Sequence, residues 1–387
     1  MTGWPAVELG QVTDILSGFA FDSKGFGDEG DLPVVRIRDV VRGSSETYYA
    51  GEFDPRFLIA PGEILIGMDG EFNRGRWRGG KALLNQRVCR ISPSSSELDD
   101  GYLFHFLPAA LKKIEDETPF VTVKHLSVKA IRAIRIPLPP LPEQRRIASI
   151  LDHADALRSK RREALARLDE LTQSIFIDMF GDPVANDREW PSCYVGDFVA
   201  GFDSGRNLVG AAEDVDAYRV LKVSAVTSLA YRESESKPLP TGYEPPVNHL
   251  VRSGDLLFSR ANTAELVGAT AFVSETDGRT ALPDKLWRFR WHDDSPVAPR
   301  FVEKLFQRPE FRKTLSDRAT GSSGSMKNIS RMSVLSIAVG LPPLNLQRKF
   351  EKSVERVESV RSRHFVALDE LDALFTSLQS RAFRGEL

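Results

Sequence analysis

The sequence predicts a mixed α/β (α+β) chain: two globular domains, joined and separated by two long helices that pack as an antiparallel coiled coil with pseudo-two-fold character. Three observations lead there. LPPLPEQRR at Leu138–Arg146 returns as LPPLNLQRK at Leu341–Lys349, a displacement of 203 residues. At the same displacement Arg158, Leu165, Leu168, Asp169, Leu171 and Phe180 recur as Arg361, Leu368, Leu371, Asp372, Leu374 and Phe383. Each copy of the motif opens a long run of helical periodicity, and each is preceded by short alternating stretches broken by Gly, Pro and Asp. A period this long is too large for a solenoid, so a whole module, globular part plus helix, occurs twice. Two copies of one unit suit a partner with approximate two-fold symmetry, of which duplex DNA is the commonest.

Four segments follow in order. Residues 1–141 carry alternating stretches such as LPVVRIRDV and GEILIGMDG, which read as strands and turns. Residues 142–181 form the first rod. Its apolar positions Ile147, Ile150, Leu151, Ala154, Leu157, Leu165, Leu168, Leu171 and Ile175 follow helical spacing, and GDP at Gly181–Pro183 terminates it. About 37 residues at ~1.5 Å each give a rod of roughly 55 Å. Residues 182–340 repeat the style of the first segment: PGEILI at Pro61–Ile66 is echoed by SGDLLF at Ser253–Phe258, and VKHLS at Val123–Ser127 by MKNIS at Met326–Ser330. Residues 341–387 are the second rod, with Phe350, Val354, Val357, Val360, Leu368, Leu371, Leu374 and Leu378 as its stripe. A lone helix with one apolar face is not stable, so the two rods are expected to bury their stripes against each other, the rival being that each packs on its own globular part.

A chain of 387 residues with 41% hydrophobic and 27% charged residues is an ordinary globular composition with room for two or three domains. It opens without a signal stretch and has no apolar run of membrane-spanning length, so a cytoplasmic protein is expected. Cys89 and Cys193 have neither CxxC nor metal-ligand spacing, which argues against a disulfide scaffold or a zinc site. The six histidines are scattered, and neither a Walker motif nor a Gly-x-Gly-x-x-Gly loop is present, so no metal or nucleotide cofactor is expected on this chain. The glycine-rich GSSGS at Gly321–Ser325 reads as a surface turn or a flexible turn near DNA.

The net charge of −2 conceals local basic stretches. No acid lies between Phe72 and Ser96, between Thr118 and Pro142, or between Arg318 and Phe350, while arginines and lysines do. A one-sided DNA footprint needs such local charge. Two loops are the sharpest candidates. MDGEFNRGRWRGGK at Met68–Lys81 offers Asn73, Arg74, Arg76, Arg78 and Lys81. Arginine and lysine read guanine O6/N7 and asparagine reads adenine N6/N7 in the major groove. The rival is a charged hairpin whose Trp77 packs inward. FSRANTAELVGAT at Phe258–Thr270 offers Ser259, Arg260, Asn262 and Thr263. Lys124 and Lys327 hold equivalent repeat positions and are expected to clamp phosphates.

With LPPLPEQRRIASILDHAD, LDELTQSIFIDMFGDP, GEFNRGRWRGGKALLNQRV, LLFSRANTAELVGAT and LDELDALFTSLQSRAFRGEL, essentially the whole chain resembles the specificity subunits of Type I restriction–modification systems. The resemblance implies two target recognition domains, each for one half of a split DNA sequence, at 1–141 and 182–340. It implies helical spacers at 142–181 and 341–387 that dock two modification (methyltransferase) subunits, with restriction subunits completing the complex. S-adenosylmethionine, ATP and Mg2+ would belong to those partners, and this chain would be non-catalytic. Docking is expected at Leu141, Glu143, Gln144 and Arg145 and at Leu344, Gln347 and Arg348. The distal motif departs from the family pattern, since Asn345–Leu346 replaces Pro–Glu and leaves Glu143 without an equivalent. The alternative is a standalone two-domain DNA-binding or scaffold protein. A methyltransferase is disfavoured because the chain lacks both a cofactor loop and an Asn/Asp-Pro-Pro-Tyr/Phe motif.

Overall fold

A computed structural model describes residues 4–118, 124–208, 218–321 and 326–387. Gly3, Val123 and residues 322–325 of the GSSGS loop lie outside the described residues. The chain divides into two compact units, Met1–Glu163 with Phe365–Leu387, and Ala164–His364. Each holds one globular part and a stretch of both long helices.

In the first unit, four antiparallel strands pair in the order Thr13–Ser17, Val88–Pro93, Ile64–Gly67, Arg74–Arg76. A mixed sheet lies beside them, built on the parallel pair Leu32–Val35 and Ala82–Leu84. Ala6–Glu8 pairs with Arg135–Pro137, closing the globular part just before the first rod. The second unit repeats this build. Its four strands run in the order Val199–Asp203, Leu286–Trp291, Leu256–Ser259, Thr270–Phe272. Arg219–Leu221 and Thr280–Ala281 form the parallel pair, and Ser192–Tyr194 pairs with Ala338–Gly340. The echo of GEILI and GDLLF is therefore the same central strand in two sheets. Both strands are buried on both faces, so the GEILIGMDG stretch, expected to alternate, instead holds a continuously buried run.

The central helix spans Leu141–Phe180 and the distal helix Leu344–Arg384. The first stops at the predicted GDP: Gly181 takes φ +67°, and Trp190 Nε1 donates to the Phe180 carbonyl at 3.0 Å. The second stops at Gly385, with φ +71°. A left-handed residue after the last turn satisfies the final carbonyls without a Cβ clash.

The helices run antiparallel in each unit. In the first, Arg146 donates to the Leu387 carbonyl at 2.9 Å, and Arg158 and Arg162 grip Asp372. In the second, Asp169 pairs with Arg361 at 3.0 Å, and the rings of Phe176 and Phe180 meet Phe350 at 5.4 and 5.3 Å. The two rival burials coexist. Ile147, Leu151, Phe375 and Ala382 join the core of the first globular part, and Phe176, Phe180, Phe350 and Val354 that of the second. Stripe residues Leu157, Leu171 and Leu374 are left more than two-fifths exposed.

The repeated motif has a physical reason. Gln144 and Gln347, at the same repeat position, are both wholly buried. Gln144 accepts from the Asp99 amide at 2.8 Å and donates to the carbonyls of Glu97 at 2.7 Å and Pro139 at 2.8 Å. Gln347 accepts from the Ala298 amide at 2.9 Å and donates to the carbonyls of Pro296 at 3.2 Å and Pro342 at 2.7 Å. Asp99 and Ala298 are the capping residues of the first long helix in each globular part. One amide side chain thus fastens each rod to its own globular part. Replacing Gln144 or Gln347 with Ala strands a buried N–H and two carbonyls, and is expected to destabilise the protein by about 2–4 kcal/mol. Denaturant unfolding monitored by tryptophan fluorescence checks this; an unchanged midpoint in both variants contradicts the account.

Candidate nucleic-acid interface

The site lies at the end of the central strand in each four-stranded sheet. In the first unit the chain leaving Ile64–Gly67 runs between two other segments. The Met68 amide donates to the Arg87 carbonyl at 2.8 Å on one side. On the other, the Gly70 amide donates to the Lys124 carbonyl at 2.9 Å and the Leu126 amide to the Met68 carbonyl at 2.7 Å. The second unit builds the same corner. The Arg260 amide donates to the Lys285 carbonyl at 3.1 Å, while Ala261 and Asn262 pair with Asn328 and Lys327. Lys124 and Lys327, matched in sequence, thus occupy the same register in space.

The predicted residues of the second loop gather here. Asn262 faces Lys327 across the short strand pair, and its Oδ1 accepts from the Thr263 amide, with Thr263 exposed. Arg260 donates through Nε to the Asp284 carbonyl at 3.0 Å, and its guanidinium lies 5.8 Å from the Trp287 ring. Arg331, exposed, lies 5.7 Å from the same ring. Ser259 differs: it is wholly buried, so its hydroxyl does not reach the surface where a base edge would stand.

The residues of the first loop are split by the hairpin. Asn73 sits at the Gly67 end, half-buried, near Lys124, whose ammonium is held by the Glu115 carbonyl. Arg76 pairs with Ile64 at the other end, and Arg78 and Lys81 lie exposed beyond it. Trp77 packs inward at 1% exposure, its Nε1 donating to the Gly80 carbonyl at 2.6 Å, as the rival reading held. Arg74 also turns inward. Its guanidinium stacks 3.4 Å from the Phe104 ring and donates to the Phe104 carbonyl at 2.9 Å. Burial pushes its pKa down to about 10, still far above neutral pH. Arg76 pairs with Asp100 at 2.6 Å and donates to the Gly62 carbonyl. The alternation of arginine with small residues therefore puts Arg74 and Arg76 on one strand face, against Phe104, and leaves Arg78 and Lys81 exposed beyond the strand.

The expected docking residues also divide. Arg145 and Arg348 are exposed, Leu141 and Leu344 half-buried. Glu143 is held in a two-point pair by Arg146 at 2.8 and 2.7 Å, which keeps its carboxyl below its ordinary pKa. Gln144 and Gln347 are interior fasteners and present nothing to a partner. Sequence reasoning passed over Arg87, His125 and Lys285. His125 and Arg87 both contact Asp69 at the first corner, Arg87 at 3.4 Å. Arg87 did lie within an acid-free stretch, which was the available signal. Among the described residues, no group of His, Cys, Asp or Glu is placed to hold a metal ion, and no helix is long and apolar enough to cross a membrane.

Two variants separate inward from outward arginine chemistry. Arg74→Ala removes a buried guanidinium from an aromatic ring and is expected to lower stability by about 1–2 kcal/mol. Lys81→Ala should leave the unfolding midpoint where it is and weaken binding of duplex DNA. A thermal melt and a DNA-binding titration on both proteins check the division; reversed outcomes refute it.

The chain is similar to known proteins throughout its length. A family model described as "Type I restriction modification DNA specificity domain" matches residues 1–167. The Type I restriction enzyme EcoBI specificity subunit of Escherichia coli is 27% identical, with 99% of this chain and 86% of that protein covered. The EcoKI specificity subunit of Escherichia coli strain K12 is 23% identical, with 100% of this chain and 89% of that protein covered. The crystal structure of the S subunit from M. genitalium shares the fold with a TM-score of 0.56 at 14% identity, over 99% of this chain and 96% of that one. Two units with one strand order, each fastened by a buried glutamine to a long helix and carrying a basic corner, agree with these matches: over its whole length the chain is similar to specificity subunits of Type I restriction–modification systems.

Proposed function

We propose that this chain reads a bipartite DNA target, one half by the recognition domain at 1–141 and the other by that at 182–340. It directs methyltransferase and restriction subunits to that target, and the adenine N6 is the methylated atom. The observation that carries the reading is the recurrence of one corner: the same strand end and the same backbone pairing, with Lys124 and Lys327 in the same register. Different side chains around a common frame are what two half-sites of different sequence require. Asp69 and His125 stand in one corner where Ala261 and Asn328 stand in the other.

Within this reading Arg78, Lys81, Lys124, Arg260, Asn262, Thr263 and Lys327 face the DNA, with Asn73 and Arg76 at the edges of the first surface. Arg145 and Arg348, with the exposed leucines of the rods, meet the partners, two modification subunits to one of these chains. S-adenosylmethionine, ATP and Mg2+ act on those subunits. The two helical segments set the number of unread base pairs between the half-sites.

Methylome sequencing of cells carrying the complete system is the test. The expected result is a split motif with a fixed unread centre. A continuous motif overturns the two-domain reading. Four residues inserted near Glu163–Ala166 lengthen the central helix by about 6 Å. The unread centre should then change length while both half-site sequences stay the same; unchanged spacing refutes the ruler role of the helices.

A further inference from the structure

Each corner has a third side that the sequence repeat does not reveal. The residue entering the last core strand, Arg87 before Val88–Pro93 and Lys285 before Leu286–Trp291, receives the amide of the residue leaving the central strand. Arg87 and Lys285 are therefore structural equivalents. Their displacement is 198 residues, whereas the rods are displaced by 203, so a comparison at the repeat offset never aligns them.

We infer that Arg87 and Lys285 each make a backbone-phosphate contact in their own half of the DNA target, an inference that rests on the reading above. Three observations carry it. First, an equivalent position holds a cation in both units although the neighbouring side chains differ. Second, Arg87 has φ +69°, a left-handed conformation that costs a side-chain-bearing residue free energy and that glycine adopts freely. Strain of this kind concentrates where a side chain has a task. Third, both cations stand beside others rather than in a neutral surface. Arg87 is half exposed, held by Asp69 at 3.4 Å with His125 against the same carboxylate, and Lys124 lies one hydrogen-bonded strand away. Lys285 Nζ lies 3.8 Å from Met326 Sδ, and Arg260 and Lys327 flank it on the paired strands. Asp69 orients Arg87 without matching the cations around it. A phosphate is the ligand that such a site takes irrespective of base sequence.

The test uses the chain assembled with its modification subunits and a random-sequence duplex pool of about 40 base pairs, binding being measured across a salt series. Arg87→Gly relaxes the backbone while removing the charge, so it is expected to fold at least as well as the parent. Lys285→Ala is its counterpart, and Arg87→Lys and Lys285→Arg keep the charge. Each neutral variant should lower the slope of log affinity against log salt by about one and weaken binding roughly eightfold near 0.1 M salt. The charge-keeping variants should restore both. Neutral variants with unchanged slope and affinity overturn the inference while leaving the functional reading intact. The same holds for a variant that loses affinity for a duplex carrying the intact split target but none for the random-sequence pool, because that is a base contact. A parent complex without DNA affinity overturns the functional reading and this inference together.

Discussion

Everything that this molecule does with its two globular parts depends on how each is fastened to a rod, and a single buried amide side chain makes that joint. Gln144 and Gln347 bind one amide and two carbonyls apiece, and no water competes at zero exposure. Glutamine is suited because its one side chain both donates and accepts, and it carries no charge to desolvate. Of the two prolines before each rod, the second has its carbonyl met by amides of the first helical turn, and the third of the three bonds takes the carbonyl of the first. The motif survives the loss of Pro–Glu at its distal copy because neither residue takes part in this joint.

Around the common frame the two units use different chemistry. In the first, Arg76 on the edge strand lies over Phe104 on the adjoining helix, 4.6 Å from its centroid. In the second the partners change sides: Phe272 is on the strand, and Arg300 from the helix lies 3.8 Å from its ring. Arg300 is buried and also pairs with Glu303 at 3.0 Å and with Glu358 of the distal helix. In the first unit Arg158 and Asp372 tie the two rods nearer the surface. A cation against an aromatic face is what both solutions retain, since that contact fills the space between strand and helix while keeping the guanidinium hydrogen-bonded. Two copies of one module can thus diverge in sequence while holding their shape.

The corners show why a binding surface is harder to read than a fold. The candidate residues of loop Phe258–Thr270 stay together in space because they follow a strand end in sequence, although Ser259 is buried. Loop Met68–Lys81 reads as one surface in sequence, but a hairpin folds it: Arg74 and Arg76 share the strand face that packs on Phe104, while Arg78 lies exposed past the strand end. At about 3.3 Å per residue, the four residues of the Ile64–Gly67 strand put Asn73 and Arg76 near opposite ends. Trp77 looked exposed because its neighbours are charged; its burial is set by the sheet beneath it, with Leu65, Val88 and Leu84 in the same core.

The sequence by itself determined the duplication, the two long helices with their stops, and the equivalence of Lys124 and Lys327. Those features live in periodicity, turn residues and a fixed displacement, which are local properties of a chain. Only the tertiary structure decided which arginines face outward, that the motif glutamines are interior, and that Arg87 and Lys285 stand in matching places. The reason is that segments between the repeat's anchor points differ in length, so positions that coincide in space have drifted apart in sequence. Hydrogen bonds between strand ends bring them back into register, and no pattern along a single strand carries that information.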